Sequence, residues 1–562
     1  MALNEQFFSL HPFRPRLLTA LKTYKRADFF KDLLAGITVG VVALPLAMAF
    51  AIASGLPPEA GLFTAIVAGF IISALGGTRT QIGGPAGAFI VVVYSIVERY
   101  GIDGLIISTL ISGILLFLLG LFRLGTMVRF VPVSIVIGFT NGIAVLIALS
   151  QIKDFLGLRT GPLPAEFFAK MSVIFTHLPT IDTQTVIVGA ACFLIVLSWP
   201  LIAGRLPGRL KRSSYVPGSI IALAFGTAVT WFFKLDIETV GTRFGGLPRS
   251  LPKLTFPDID FMTLQMLFPA ILTITMLSAI ESLLCARVAD SVTGDRHDPN
   301  QELMAQGLAN VAAPLVGGYC ATGTIARTMT NIRSGAVSPI AGMIHAIALL
   351  GIILIAAPLA ENIPLTALAA ILLNIAWNMG EWHEFARLKH FSRSYAIIML
   401  STFFLTIVID LTVAVEVGLV LACIFFIRRV ADLTRVEPIP EIEGMLAPHL
   451  GRSIEAYRIY GSLFFGAAMK LERLMDASRP LPKILVLDMS NLLNIDTTGL
   501  EALENLHEFL KKHGSRLMLA GLQSQPLSIV KRSGLAAQIG EHLVCPDLKT
   551  CLAKAESLTS KS

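Results

Sequence analysis

Residues Gly317-Gly318-Tyr319-Cys320-Ala321-Thr322-Gly323-Thr324-Ile325-Ala326-Arg327-Thr328 lie among long apolar runs, yet are too rich in glycine and threonine for a plain membrane helix. An earlier stretch, Gly76-Gly77-Thr78-Arg79-Thr80-Gln81-Ile82-Gly83-Gly84-Pro85-Ala86-Gly87-Ala88-Phe89, has the same character. Interrupted segments in matching places of two halves point to a transporter's binding site. At membrane depth, non-helical backbone survives only against protein or a wet cavity. A helix that begins there offers free N–H groups and the positive end of its dipole, which suits an anion. The other reading of both stretches is close helix packing through small residues.

Composition supports the membrane setting. Hydrophobic residues make up 54% of the 562 and charged residues 15%, against about 25% charged in soluble domains. Mean hydropathy is +0.72. A span needs about 20 apolar residues. Spans are expected near 35–54, 59–76, 104–122, 131–152, 184–203, 216–233, 265–286, 301–317, 338–358, 363–379, 394–410 and 411–428. The broken segments 84–98 and 322–334 bring the count to fourteen. The span at 301–317 is unusually polar, with Gln301, Glu302, Gln306 and Asn310.

The net charge of +7 fits basic cytoplasmic loops rather than nucleic-acid binding. With the N-terminus inside, the alternation places clusters at Arg123/Arg129, Arg205/Arg209/Lys211/Arg212, Arg287/Arg296, Arg387/Lys389/Arg393 and Arg428/Arg429 in the cytoplasm. Lys153, Arg159 and Lys170 fall on the other side. An even number of spans returns the C-terminus to the cytoplasm. No early apolar core marks a signal peptide. The six cysteines are scattered without ligand spacing, so neither disulfides nor a metal site is expected. No cofactor and no enzymatic constellation stands out.

The two Gly-Gly pairs are 241 positions apart, which lays 84–98 over 325–339. Seven spans per half is an odd number, so the second half is inverted relative to the first. The expected division is a cytoplasmic segment 1–31, a transmembrane transport domain 32–435, a linker 436–452, a small α/β domain 453–553 and a frayed tail 554–562. In the α/β domain, strands are expected at 456–465, 484–488 and 516–521, and helices at 467–477, 498–513 and 525–534.

Candidate substrate-binding residues are Gly84, Pro85, Ala86, Gly87, Ala88 and Phe89 from the first break, and Thr324, Ile325, Ala326, Arg327 and Thr328 from the second. Pro85 suits the first turn of a half-helix, Thr322 and Thr324 are candidate caps for the other, and Phe89 is a candidate cavity wall. Arg327, a cation at membrane depth, marks an anion pathway or an ion pair; the competing readings are a pair with Glu281 or a place near the cytoplasmic surface. Glu281, inside an apolar span, is the candidate proton-coupling group, with a structural partner or a cation ligand as the other readings. Glu416 and Asp410 read as structural and His345 as a satisfied packing residue. In the α/β domain, Asp496 and Thr497 read as helix caps, with phosphate acceptance by Thr497 as the second reading.

These residues together resemble the SulP, or sulfate-permease, family of anion transporters, from Asp32-Leu33-Leu34-Ala35-Gly36-Ile37-Thr38 to the end of the chain. Asp496-Thr497-Thr498-Gly499-Leu500 resembles the signature loop of a STAS domain. The resemblance implies an α-helical polytopic membrane protein of fourteen segments in a seven-plus-seven inverted repeat, with core and gate domains, two half-helices and a cytoplasmic STAS domain. It places the anion site between the third and tenth segments, beginning near Ala86 and Thr324. It also implies a homodimer, an elevator movement, and a multi-pass protein of the bacterial inner membrane.

Three runs resemble the family's C4-dicarboxylate uptake branch: Gln151-Ile152-Lys153-Asp154-Phe155-Leu156-Gly157-Leu158, Ala279-Ile280-Glu281-Ser282-Leu283-Leu284-Cys285-Ala286 and Ile325-Ala326-Arg327. They imply proton-coupled uptake of succinate, fumarate or aspartate, with sulfate or bicarbonate as the alternative substrate. Cys285 and Ile325 stand where sodium-coupled relatives carry threonines, so a sodium site is poorly furnished with oxygen ligands. Pro45-Leu46 replaces the family's Pro-Gln. Thr497 stands at the position that regulatory relatives phosphorylate. The remaining alternative is a signalling protein that acts through its STAS domain on a cytoplasmic partner.

Overall fold

The structure, a computed structural model, describes residues 10–126, 131–205, 217–246, 254, 257, 260–440, 453–475 and 480–560. Arg129, Arg209, Lys211, Arg212 and most of the 436–452 linker lie outside the described residues. The chain forms two compact units, Met1–Leu419 and Val420–Ser562.

The first unit is helical. Its helices include α1 (Arg26–Ala53), α2 (Pro58–Leu75), α3 (Phe89–Leu121), α4 (Val133–Leu156), α5 (Thr183–Arg205), α6 (Gly218–Phe233), α7 (Phe261–Thr293), α8 (Pro299–Leu315), α9 (Ile325–Arg333), α10 (Ile340–Ala360), α11 (Leu365–Met379) and α12 (Arg393–Val408), and α13 (Leu411–Leu433) runs on into the second unit. Each of the fourteen expected segments has a counterpart, because α3 holds two. It breaks at Gly101, whose φ of 72° only glycine adopts readily. Among the described residues, six helices carry apolar windows long enough to cross a membrane. Helix starts follow local chemistry. Pro58 and Pro299 occupy first turns, and the Asp298 carboxylate accepts from the amides of Asn300 (3.0 Å) and Gln301 (3.2 Å).

Packing repeats between the halves. α1 lies on α10 as α7 lies on α3, α2 on α10 as α8 on α3, and α4 on α12 as α11 on α5. The pairs α2–α8 and α4–α11 are self-matching. This is the pattern of a pseudo-twofold axis in the membrane plane. It separates a core (α1–α3, α7–α10) from a gate (α4–α6, α11, α12).

Asp32 ties the core together from α1. Its buried carboxylate accepts from the Val337 amide (2.8 Å), the Ser338 amide and hydroxyl (3.2 and 2.5 Å), and the Tyr24 hydroxyl (2.9 Å). Asp32→Ala strands these donors at the entry to α10. It is expected to destabilise the fold by about 3 kcal/mol, read as a lower thermal midpoint in detergent.

The second unit holds a five-stranded sheet in the order β3 (Arg435–Pro438), β4 (Ile454–Leu463), β5 (Ile484–Ile495), β6 (Arg516–Ala520), β7 (Val544–Cys545). The pairs β4–β5, β5–β6 and β6–β7 are parallel and β3 is an antiparallel edge. Helices α14 (Thr497–Lys512), α15 (Ser524–Arg532) and α16 (Leu548–Thr559) accompany it. Two expectations change. The linker does not begin at 436, because Arg435–Pro438 pairs with Tyr457–Tyr460; Pro438 is tolerated at the end of an edge strand. The tail is helical to Thr559, because the Asp547 carboxylate caps α16 through the Thr550 amide (2.8 Å) and Leu552 and Ala555 are buried.

Candidate anion-binding site

The two breaks meet. Gly83–Gly84 forms strand β1 and Thr322–Gly323 forms strand β2, paired antiparallel with Gly83 opposite Gly323 and Gly84 opposite Thr322. The half-helices α3 and α9 start beyond them, at Phe89 and Ile325.

Polar side chains hold several further groups of the two breaks. From α8, Asn310 Oδ1 accepts from the Ala321 amide (2.7 Å), and Asn310 Nδ2 (3.0 Å) and Gln306 Nε2 both donate to the Ala321 carbonyl. Glu302 Oε2 accepts from the Gly77 amide (2.8 Å) and the Thr78 hydroxyl (3.1 Å). Asn331 donates to the Thr80 carbonyl (2.9 Å) and Gln81 to Ser282 Oγ (3.0 Å). The polarity that made 301–317 an unusual span is thus explained. α8 is the scaffold for both breaks, at a depth where bare peptide groups are costly.

Three expected roles change. Thr324 does not cap α9; its hydroxyl donates to the Ile82 carbonyl (3.0 Å), while Thr328 Oγ1 accepts from the Ile82 amide (3.0 Å). Thr322 donates instead to the Ser278 carbonyl of α7 (3.1 Å). The two bonds to Ile82 stitch the two halves, and the first-turn amides of α9, from Ile325 to Arg327, have no intrahelical acceptor. Pro85 precedes the first turn of α3 rather than sitting in it, because the Ala86–Ala88 turn intervenes.

Residues Gly84 to Phe89 are all buried, and Thr324, Arg327 and Thr328 join them inside. Ile325 (41% exposed) and Ala326 face outward. Arg327 is 1% exposed, and none of its three guanidinium nitrogens has a partner among the described residues. It does not pair with Glu281: neither residue makes a hydrogen bond or ion pair among the described residues. The arginine is also not at the surface. A buried cation without a counter-charge is strongly disfavoured.

Two neighbours of Arg327 were not singled out as site residues. Tyr319 and His345 interact with its charge. His345, on α10, is fully buried between Gly40 of α1 and Gly69 of α2, and both ring nitrogens lack a partner among the described residues. It is therefore not the satisfied packing residue expected. Its signal in the sequence, a lone histidine in an apolar run, is that of any packed histidine. Glu281 is partly buried on α7, on the helix face shared with Ser278 and Cys285. Both of those residues touch the site: the Ser278 carbonyl through Thr322, and Cys285 Sγ by donating to Thr328 Oγ1 (3.3 Å). Phe89 is fully buried.

Asp410 caps α13 through the Val413 amide (2.8 Å) and Glu416 is exposed. In the second unit Asp496 caps α14, accepting from the Gly499 amide (2.8 Å), and leaves Thr497 exposed on the first turn. Glu381, His383 and Glu384 bring ligand atoms within 4.8 Å of one another, but Glu384 is already held by Arg387 at 2.6 Å.

Residues 29–402 match the sulfate permease family and residues 452–551 the STAS domain. The chain belongs to the sulfate permease family, and is a multi-pass membrane anion transporter with a C-terminal STAS domain. It is 43% identical to "Putative sulfate transporter YvdB" of Bacillus subtilis, over 93% of this chain and 97% of that one. It is 32% identical to the bicarbonate transporter BicA of Synechocystis, over 88% of each chain. Murine Slc26a9, an anion transporter solved in its inward-facing state, shares the fold with a TM-score of 0.84, at 17% identity over 96% of this chain and 94% of that one.

Proposed function

We propose that the chain takes up C4-dicarboxylates such as succinate, fumarate and aspartate, coupled to protons, across a bacterial inner membrane. The observation that carries this reading is Arg327, buried without a partner among the described residues where two half-helices begin. A guanidinium presents a planar fork that fits a carboxylate bidentately, and the first-turn amides of α9 add the positive end of a dipole. The runs at 151–158, 279–286 and 325–327 favour dicarboxylates. Sulfate is the second reading, favoured by the name given to the Bacillus relative.

Glu281 is the proposed proton carrier. It lies on the α7 face that touches both breaks and has no fixed partner among the described residues. We further propose that the protein works as a homodimer with its termini and STAS domain in the cytoplasm, where exposed Thr497 is available for modification or a partner.

Uptake of labelled succinate into proteoliposomes, with sulfate, bicarbonate and fumarate as competitors, tests the assignment. Acidifying the outside is expected to raise succinate uptake several-fold. Glu281→Gln is expected to abolish that pH dependence. Uptake of sulfate or bicarbonate with no response to succinate would overturn the dicarboxylate reading, and an unaltered pH profile in Glu281→Gln would remove Glu281 from coupling.

A further inference from the structure

A cavity of about 280 Å³ opens at the end of the bundle that carries Gly55, between the core helices α1 and α3 and the gate helices α4 and α12. Its wall runs along α3 from Arg99 through Tyr94 to Ile90, one residue past Phe89 of the candidate site. It is lined by four cations and three acids, and most of these already have partners. Arg243 pairs with Asp154 at 2.8 Å. Lys153 donates to the Thr160 and Gly161 carbonyls at 3.0 and 2.9 Å. Asp410 is engaged as a helix cap.

Lys170 and Arg99 are different. Lys170 lies on the loop helix Phe167–His177 and is 6% exposed, and its ammonium makes no hydrogen bond or ion pair among the described residues. Its ammonium stands 5.6 Å from the centre of the Tyr94 ring. The acid that it feels, Glu98, is taken up by the Ala165 amide at 3.1 and 3.2 Å. Glu166, the remaining acid of the lining, is on the same loop. Burial holds the Lys170 ammonium below the usual lysine pKa, a penalty that an anion beside it offsets. Arg99 is exposed at the rim, also without a partner among the described residues.

Resting on the transport reading above, we propose that this cavity is an anion-capture site, in which Lys170 and Arg99 hold a small carboxylate or sulfate dianion before it passes along α3 to Arg327. The cavity volume accommodates one such ion, and an unpaired cation inside a low-dielectric mouth raises the local anion concentration. A capture site affects loading rather than the transport step. It therefore acts on KM and leaves kcat nearly unchanged.

The experiment is uptake kinetics in proteoliposomes for Lys170→Met, Lys170→Arg and Arg99→Gln. Lys170→Met is expected to raise KM about fivefold with kcat within about twofold of wild type, and Lys170→Arg to restore KM. Arg99→Gln sits at an exposed position and decides the matter if Lys170→Met does not fold; it is expected to raise KM about twofold, with a weaker dependence on salt. A wild-type KM in the folded variants, or a loss confined to kcat, overturns the capture site. A wild-type protein that moves neither dicarboxylate nor sulfate nor bicarbonate overturns the transport reading instead.

Discussion

Arg327→Ala is expected to lower anion uptake between about 30-fold and several-thousand-fold without destabilising the protein. The magnitude follows from removing one partner of a desolvated, charged hydrogen-bonded pair, which costs about 2–5 kcal/mol, with each 1.4 kcal/mol worth about tenfold. The stability half of the expectation is the sharper one. If Arg327 were half of a structural ion pair, its loss would strand a buried charge and lower the melting temperature. Here the guanidinium has no partner among the described residues and is 1% exposed. Removing it relieves a desolvation cost, so the ligand-free thermal midpoint should hold or rise while stabilisation by added succinate or sulfate disappears. Arg327→Lys keeps the charge but loses the planar fork, and should retain an intermediate activity. A variant that melts several degrees lower and loses activity in proportion would return Arg327 to a structural role.

The sequence disclosed most of the fourteen segments as long apolar runs, several of them with a basic cluster at the end. It disclosed the two breaks because glycine and threonine are conspicuous among leucines and isoleucines. It did not disclose how the breaks are held. Gln306 and Asn310 looked like blemishes in a weak span, since periodicity shows which face is polar but not which backbone group that face will meet 11 or 15 residues further on. The threonines were misread for a related reason. A hydroxyl before a helix usually caps that helix, but Thr324 donates to the Ile82 carbonyl on the other break, a bond between residues more than 240 positions apart. His345 was hidden by its apolar surroundings; only three-dimensional burial beside Arg327 distinguishes it. In the second unit the edge strand Arg435–Pro438 was hidden by Pro438 and the prolines that follow it, which read as a linker, whereas β4 supplies a partner.

These observations converge on Gly84, and the second large effect is expected there. Gly84 lies in β1 with φ of 149°, outside the range open to residues with a Cβ, and a Cβ at this position would collide with Nη1 of Arg327. Gly84→Ala therefore carries two penalties: backbone strain on the order of 1–3 kcal/mol, and displacement of the guanidinium from its place beside the paired strands. Uptake should fall more than about tenfold, and anion-dependent thermal stabilisation should weaken in parallel. Gly351 of α10 supplies the comparison. A Cβ there meets nothing within 4 Å, so Gly351→Ala should transport as wild type. A double-mutant cycle separates the two penalties. In an Arg327→Ala background the collision is gone and only the strain remains, so the stability cost of Gly84→Ala should shrink. If that cost is the same with and without the arginine, β1 does not set the position of Arg327; if it shrinks, the glycine serves to seat the cation on which the proposed anion depends.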